Sequence, residues 1–253
     1  MDGRREGASL AGPEGFDWLE RMQPAGGSGG PGLYAVIRTR FFDDFLLDAC
    51  ERSGVRQVVL AAAGLDTRAF RLDWPSGTRL YEMDLPEVLD TKEAVIEAAG
   101  ARESCERRTV RVNLKEETWP EALLAAGYKA EEPSVWLIEG LLFYLPEAAV
   151  HGLLDKVTTL TATGSLLGLD LMNRNLLFSP MAWPQLSALA WRGARGRFGT
   201  NVPEALLAGH GWEANVTQPG EAGANYGRWT RPVAPREIPG VPRSFLVKAR
   251  RRS

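Results

Sequence analysis

Cysteine and histidine are the scarcest reactive side chains here, with two of each in 253 residues. Cys50 and Cys105 form no CxxC motif and have no histidines beside them, which excludes a disulfide framework and a thiolate zinc site. Cys50 falls on the apolar side of a helical pattern and reads as core. A formal charge of −2 removes the electrostatic case for binding nucleic acid. The basic cluster Lys248, Arg250, Arg251 and Arg252 reads as a solvated tail. No apolar run is long enough to span a membrane. Residues 1–30 are polar and Gly-rich, with no apolar signal region, so the cytoplasm is the expected compartment. Asn215-Val216-Thr217 fits a glycosylation sequon but needs a secretory route that nothing in the sequence advertises.

What is present is ordinary for a globular protein: 44% hydrophobic and 25% charged residues. Pro13 to Met22 is a short helix candidate, followed by a flexible Gly26–Gly30 stretch. From Tyr34 to Arg52 the residues Phe41, Phe42, Phe45, Leu46, Ala49 and Cys50 recur at helical spacing, and Gly54 ends the run. The period then changes. Gln57–Ala62 is a short, β-branched apolar run of the kind expected in a parallel strand buried on both faces. Similar runs are Arg79–Met83, Arg107–Val112, Ser134–Ile138 and Ser165–Leu171. Helix candidates lie between them at Pro86–Ala99, Trp119–Ala126 and Pro146–Thr161, and a helix at Val202–Gly209 and strands at Trp212–Val216 and Ser244–Ala249 follow.

Alternating strands and helices imply an α/β fold, doubly wound around a largely parallel sheet. One domain over residues 1–253 is the simplest reading, with an N-terminal segment (1–33) and a cap insertion (174–200). The core of that cap, Asn175–Gly199, holds Phe178, Trp183, Leu186, Leu189 and Trp191 and is too apolar for a free linker.

Ligands of open parallel sheets sit at the carboxyl ends of the strands, so the residues there carry the functional signal. The first strand runs into Ala62-Ala63-Gly64-Leu65-Asp66-Thr67-Arg68, small enough for a ligand to approach the backbone. Arg68 and Asp66 either pair to hold this loop or touch the ligand. The second strand ends at Asp84, which can accept from both ribose hydroxyls of an adenosine, or simply punctuate the strand. The third ends at Asn113-Leu114, an amide and an apolar contact suited to adenine, although Asn is also common in turns. The fourth ends at Glu139-Gly140. An NAD-linked oxidoreductase is disfavoured: the loop departs from G-x-G-x-x-G, and Asp66 puts a carboxylate where a pyrophosphate must sit. The positive sulfonium of S-adenosylmethionine (SAM) suits an acidic crevice better.

Arg38-Thr39-Arg40-Phe41-Phe42-Asp43-Asp44, Gly64-Leu65-Asp66-Thr67-Arg68, Tyr81-Glu82-Met83-Asp84-Leu85-Pro86 with Lys92, and Glu139-Gly140-Leu141-Leu142-Phe143-Tyr144-Leu145 together resemble the leucine carboxyl methyltransferase family. That family includes protein-phosphatase carboxyl methyltransferases and bacterial natural-product O-methyltransferases. The resemblance implies a seven-stranded, Rossmann-like class I methyltransferase sheet with a helical cap. It also implies SAM as cofactor, with Arg38 on the SAM carboxylate, Gly64 along the methionine part and Asp84 on the ribose. Asn113 and Leu114 then fall to the adenine and Glu139 to the amino group, pairings that suit their charges. Tyr144 and Tyr34 are candidates for positioning the acceptor, Tyr144 being equally readable as core.

Two departures stand out. Asn113 occupies a position where the family has Asp, which implies weaker or reoriented adenine binding. The family also places helices before the segment matching Leu10–Phe16, which implies a more open pocket here or closure by substrate or a partner subunit, and so a possible homodimer.

His151 and His210 lie in helix patterns and read as structural. A phenol or alcohol acceptor benefits from a general base, whereas a carboxylate, with a reference pKa of about 4, needs only positioning. The reading is therefore methylation of a carboxylate on a small natural product or peptide C-terminus, with the cap arginines Arg174, Arg192, Arg195 and Arg197 as candidate anchors for an anionic substrate. A phenol or hydroxyl acceptor, and a non-catalytic SAM-binding scaffold, stay open as alternatives.

Overall fold

The run Gln57–Ala61 forms β1, and all five of its residues are buried. Its alternating side chains divide between two cores, Val59 and Ala61 on one face of the sheet and Val58 and Leu60 on the other. A strand buried on both faces has no room for polar residues, which is why the run is continuously apolar after Gln57. The structure is a computed structural model and describes residues 31–177, 198–229 and 232–252.

In chain order the elements are α1 (Pro31–Glu51), β1, α2 (Arg68–Arg71), β2 (Arg79–Asp84), α3 (Pro86–Ala99), β3 (Glu106–Arg111), α4 (Trp119–Ala125) and β4 (Ser134–Ile138). A 3₁₀ turn (Leu142–Tyr144), α5 (Glu147–Thr159), β5 (Leu166–Met172), α6 (Arg174–Leu177), α7 (Pro203–Gly209), β6 (Trp212–Thr217) and β7 (Ser244–Arg251) follow. The sheet order is β3-β2-β1-β4-β5-β7-β6. β1 to β5 are parallel, and β7 lies antiparallel between β5 and β6. The doubly wound, seven-stranded sheet expected from the sequence is present.

Two details differ from the sequence reading. The strand Glu106–Arg111 is an edge strand with one fully buried residue, Val110, rather than a strand buried on both faces. Its charged residues suit an edge, where they discourage pairing with another chain. The basic cluster near residue 250 is not a solvated tail, because ladders on both sides carry β7 through Arg251. Lys248 Nζ lies 4.1 Å from the centroid of the Phe41 ring, and Arg251 donates to the Gly211 carbonyl at 3.0 Å. Of the cap insertion, Arg174–Leu177 is helical, while Arg192, Arg195 and Arg197, like the helix candidate Pro13–Met22, lie outside the described residues.

Helix α1 packs across β4, β5 and β7. It approaches the sheet closely at Gly168 on β5, where an added Cβ would stand 2.8 Å from Phe45 Cε1 and 3.2 Å from Phe42 Cδ1. Side chains two apart on a strand share a face, so Asp170 faces α1 as well.

Candidate functional site

β1 pairs with β2 on one side and β4 on the other, so the order of the sheet reverses between β1 and β4. A crevice opens there by construction, outside the carboxyl ends of those strands. A cavity of about 790 Å³ occupies it, walled by α1 from Ala35 to Asp43, the loop Ala62–Arg68, and Glu139 with Gly140. That size suits a nucleoside-sized ligand, since small-molecule pockets run to about 300–1,000 Å³. The loop turns back through left-handed backbone at Ala62 (φ 59°) and Gly64 (φ 50°). Nothing lies within 4 Å of the position a Gly64 Cβ would take, so this wall is open to a ligand.

Charged side chains close the floor. Arg38 Nε donates to Glu139 Oε1 at 2.7 Å, and Arg38 Nη1 donates to Asp170 Oδ2 at 2.9 Å. Arg68 Nη1 lies 2.9 Å from Glu139 Oε2 and also pairs with Asp66, while Arg68 Nε donates to Asp43 Oδ1 at 2.7 Å. Arg71 binds Asp43 through both terminal nitrogens, at 2.6 and 2.7 Å. Burial opposes the Arg38 charge, yet Asp170 and Glu139 hold its pKa well above the usual arginine value. Burial likewise opposes the Arg68 charge, and Asp66, Glu139 and Asp43 raise its pKa in turn. Three arginines and four carboxylates leave the cluster with one net negative charge.

Among the residues singled out from the sequence, Arg38, Gly64 and Glu139 line the cavity together. Arg38 and Glu139 were assigned to opposite ends of a ligand, and here they neutralise each other. Asp84 stands behind the wall, where it accepts from the Gly64 amide at 2.6 Å and the Leu85 amide at 2.7 Å. Asn113 accepts from the Lys115 amide at 3.1 Å, a turn contact, and Leu114 packs against the edge of the core. Arg68 and Asp66 pair, as the loop-holding reading expects.

The Tyr34 hydroxyl donates to Asp170 Oδ2 at 2.9 Å. Burial, reinforced by Asp170, pushes its pKa well up. Tyr144 ends the 3₁₀ turn with its ring 4.6 Å from that of Phe143, and burial raises its pKa too, Arg38 opposing. Neither phenol is poised to take a proton. The histidines meet elsewhere: His151 Nδ1 on α5 is 2.8 Å from His210 Nε2, and His210 Nδ1 is 2.6 Å from Asp155 Oδ1.

Sequence reasoning missed Asp170. It is fully buried, accepts from the Gly140 amide at 2.6 Å, and sits one residue past the Ile138–Leu169 pair that joins β4 to β5. The signal was there: it is the one charge in the apolar run Leu166–Met172, at the carboxyl end of a central strand. Asp43 was missed because on a helix it looks like a solvated spacer, and Arg71 because nothing local ties it to Asp43, 28 positions earlier.

The family model described as leucine carboxyl methyltransferase matches residues 11–158. The chain belongs to the leucine carboxyl methyltransferase family. A Streptomyces avermitilis protein named as an S-adenosyl-L-methionine-dependent methyltransferase is 48% identical over 195 residues, which is 76% of this chain and 67% of that protein. One from Mycobacterium avium is 37% identical, covering 96% of this chain and 78% of its own length. Among solved structures, a DUF574 family protein from Streptomyces avermitilis has a TM-score of 0.63 at 14% identity and covers 99% of this chain and 97% of its own. Human N-acetylserotonin methyltransferase in complex with SAM has a TM-score of 0.50 at 15% identity, covering 94% and 56%. Those two structures share the fold with this family member. Among the described residues no helix is long and apolar enough to cross a membrane.

Proposed function

We propose that this chain transfers the methyl group of SAM to a carboxylate oxygen, producing a methyl ester and S-adenosylhomocysteine. The broader activity follows from the family: the chain is a SAM-dependent methyltransferase. The observation that carries the reading is the cluster of Arg38, Glu139 and their partners on the cavity floor. An α-amino acid end carries the same two charges as the Arg38–Glu139 pair and can replace their contact, carboxylate to Arg38 and ammonium to Glu139. The net negative charge left in the cluster then offsets a sulfonium.

The chemistry SAM supplies is an electrophilic methyl on a positive sulfur, open to in-line displacement. The chain's part is to orient and to exclude water. Gly64 leaves room along the methionine part, Asp84 reaches the ribose from behind that turn, and Asn113 and Leu114 border the adenine. Tyr144 positions the acceptor as a hydrogen-bond donor, and Tyr34, whose one hydroxyl proton goes to Asp170, positions it by packing alone.

An ionised acceptor suits this donor set, because it brings no proton to remove. The phenols of Tyr34 and Tyr144 are held protonated, and the histidines are engaged with each other and Asp155. The acceptor class is a small natural product or peptide C-terminus in the cytoplasm, with Arg174 at the first turn of the cap as a candidate anchor.

Two measurements test this. Calorimetric titration with S-adenosylhomocysteine, with NAD as control, reads the cofactor; binding of the first alone is expected. Transfer of labelled methyl from SAM to a panel of acceptors that differ only in carboxylate, phenol or alcohol then reads the product. A methyl ester releases its label as methanol in mild alkali. Alkali-stable label would move the reading to hydroxyl methylation, and cofactor binding without transfer to any class would move it to a scaffold.

A further inference from the structure

Each half of the Arg38–Glu139 pair has a buried counter-charge behind it. Asp170, with no exposed side-chain surface, holds Arg38 Nη1 at 2.9 Å. Arg68, 3% exposed, holds Glu139 Oε2 at 2.9 Å. Both backing residues are themselves fixed from other elements. Asp170 accepts from Tyr34 on α1 and from the Gly140 amide, and Arg68 is held by Asp43 on α1 and by Asp66.

When a zwitterion takes the place of the Arg38–Glu139 contact, each side chain loses one partner. Without a second partner, Arg38 would be a long, mobile cation and Glu139 a half-buried lone carboxylate, and ordering them would subtract from binding. Asp170 and Arg68 remain in contact throughout. We infer that Asp170 and Arg68 are a matched pair of positioning residues, which keep Arg38 and Glu139 in place while the ligand's amino-acid end replaces their mutual contact. This rests on the cofactor reading above, and it assigns roles to Asp170, behind the cavity, and to Arg68, which borders it with its guanidinium almost wholly covered.

The test uses two ligands that differ at that end. S-Adenosylhomocysteine carries the amino acid; 5′-methylthioadenosine keeps the adenosine and sulfur and lacks it. In the full chain, Asp170→Asn keeps the shape of the side chain but removes its charge and leaves one acceptor oxygen to serve Arg38, Tyr34 and the Gly140 amide. It should weaken S-adenosylhomocysteine by about 10- to 100-fold, the usual size of one hydrogen bond between charged groups. It should weaken methylthioadenosine, which has no amino-acid end to meet Arg38, less than about 3-fold. A merely structural loss would weaken both ligands alike and would overturn the inference.

Arg68→Lys keeps the charge and removes the fork, and it makes the same discrimination if Asp170→Asn fails to fold. Arg38→Ala separates the two levels of the argument. If Arg38→Ala leaves S-adenosylhomocysteine binding intact, the cofactor reading itself falls. If Arg38→Ala weakens it and Asp170→Asn multiplies that loss in full in the double variant, the cofactor reading stands and the positioning role is refuted.

Discussion

Gly168 tests how the site is assembled. It lies on β5 under α1, and a methyl group there would come within 2.8 Å and 3.0 Å of two Phe45 ring carbons and 3.2 Å of one in Phe42. Both rings are buried, at 6% and 0% exposure, and protein interiors leave few voids to rotate into. Gly168→Ala must therefore push α1 away from the sheet or force both rings off their rotamers, at about 1–3 kcal/mol. In a chain of this size that lowers the melting temperature by about 2–4 °C per kcal/mol. Gly152 is the control. It lies inside α5 with nothing within 4 Å of its Cβ position, so Gly152→Ala should stabilise by up to about 1 kcal/mol through helix propensity. Urea unfolding followed by tryptophan fluorescence gives both values. Because α1 also carries Arg38 and Tyr34, the Gly168→Ala protein should bind S-adenosylhomocysteine more weakly. If it unfolds within about 0.5 kcal/mol of the parent, α1 is not seated by this contact and the argument fails.

Three further expectations follow from the same structure. Ala62 has φ 59°, a region that costs an L-residue about 1–2 kcal/mol and a β-branched one more; Ala62→Val should destabilise by at least about 1 kcal/mol while Ala62→Gly does not, and equal stabilities would disprove strain at the turn. Lys92 Nζ and Glu82 Oε2 are 2.7 Å apart with both side chains fully buried, and Arg107 shares Glu82. Lys92→Met leaves Glu82 paired with Arg107 and should cost about 1–3 kcal/mol, whereas Glu82→Met takes the buried partner from both Lys92 and Arg107 and should cost more, about 3–5 kcal/mol; equal losses would contradict this. Burial pushes the Cys50 thiol up to about 11 and the Cys105 thiol up to about 12. The folded state holds these protons more tightly than the unfolded one, so their contribution is complete below about pH 9 and is lost as pH rises through 11 to 12. Thiolate absorbance of the folded protein should accordingly be missing at pH 9 and appear at once on unfolding in urea; a folded-state signal at pH 9 would refute the burial argument.

The parallel part of the sheet was legible because strands buried on both faces leave an unmistakable apolar run, as in Gln57–Ala61 and Ser134–Ile138. Edges are less so. Glu106–Arg111 and the end of β7 carry the charges of a surface, and only the neighbouring strands decide which faces are covered. In the site, Arg38, Gly64 and Glu139 were readable from motif and position. That Arg38 and Glu139 neutralise each other was not, because 101 residues separate them in sequence. Asp170 and Asp43 depend on how α1 lies on β5, a tertiary fact that no local pattern encodes.

The place of β7 in the sheet has a consequence for how the chain comes together during synthesis. Residues 212–217 are made before residues 244–251, yet in the sheet they lie outside them. Until the later segment emerges, β5 presents an unpaired apolar flank and β6 has nothing to dock on. The half containing β1 to β4 can organise as it leaves the ribosome, while the other half waits. The interval is a window in which chaperones, or another nascent copy, meet an open strand edge. Stalling on a spacer long enough to clear the exit tunnel, placed directly after residue 243, should trap that state, with β6 accessible to protease while β1 and β4 are already protected.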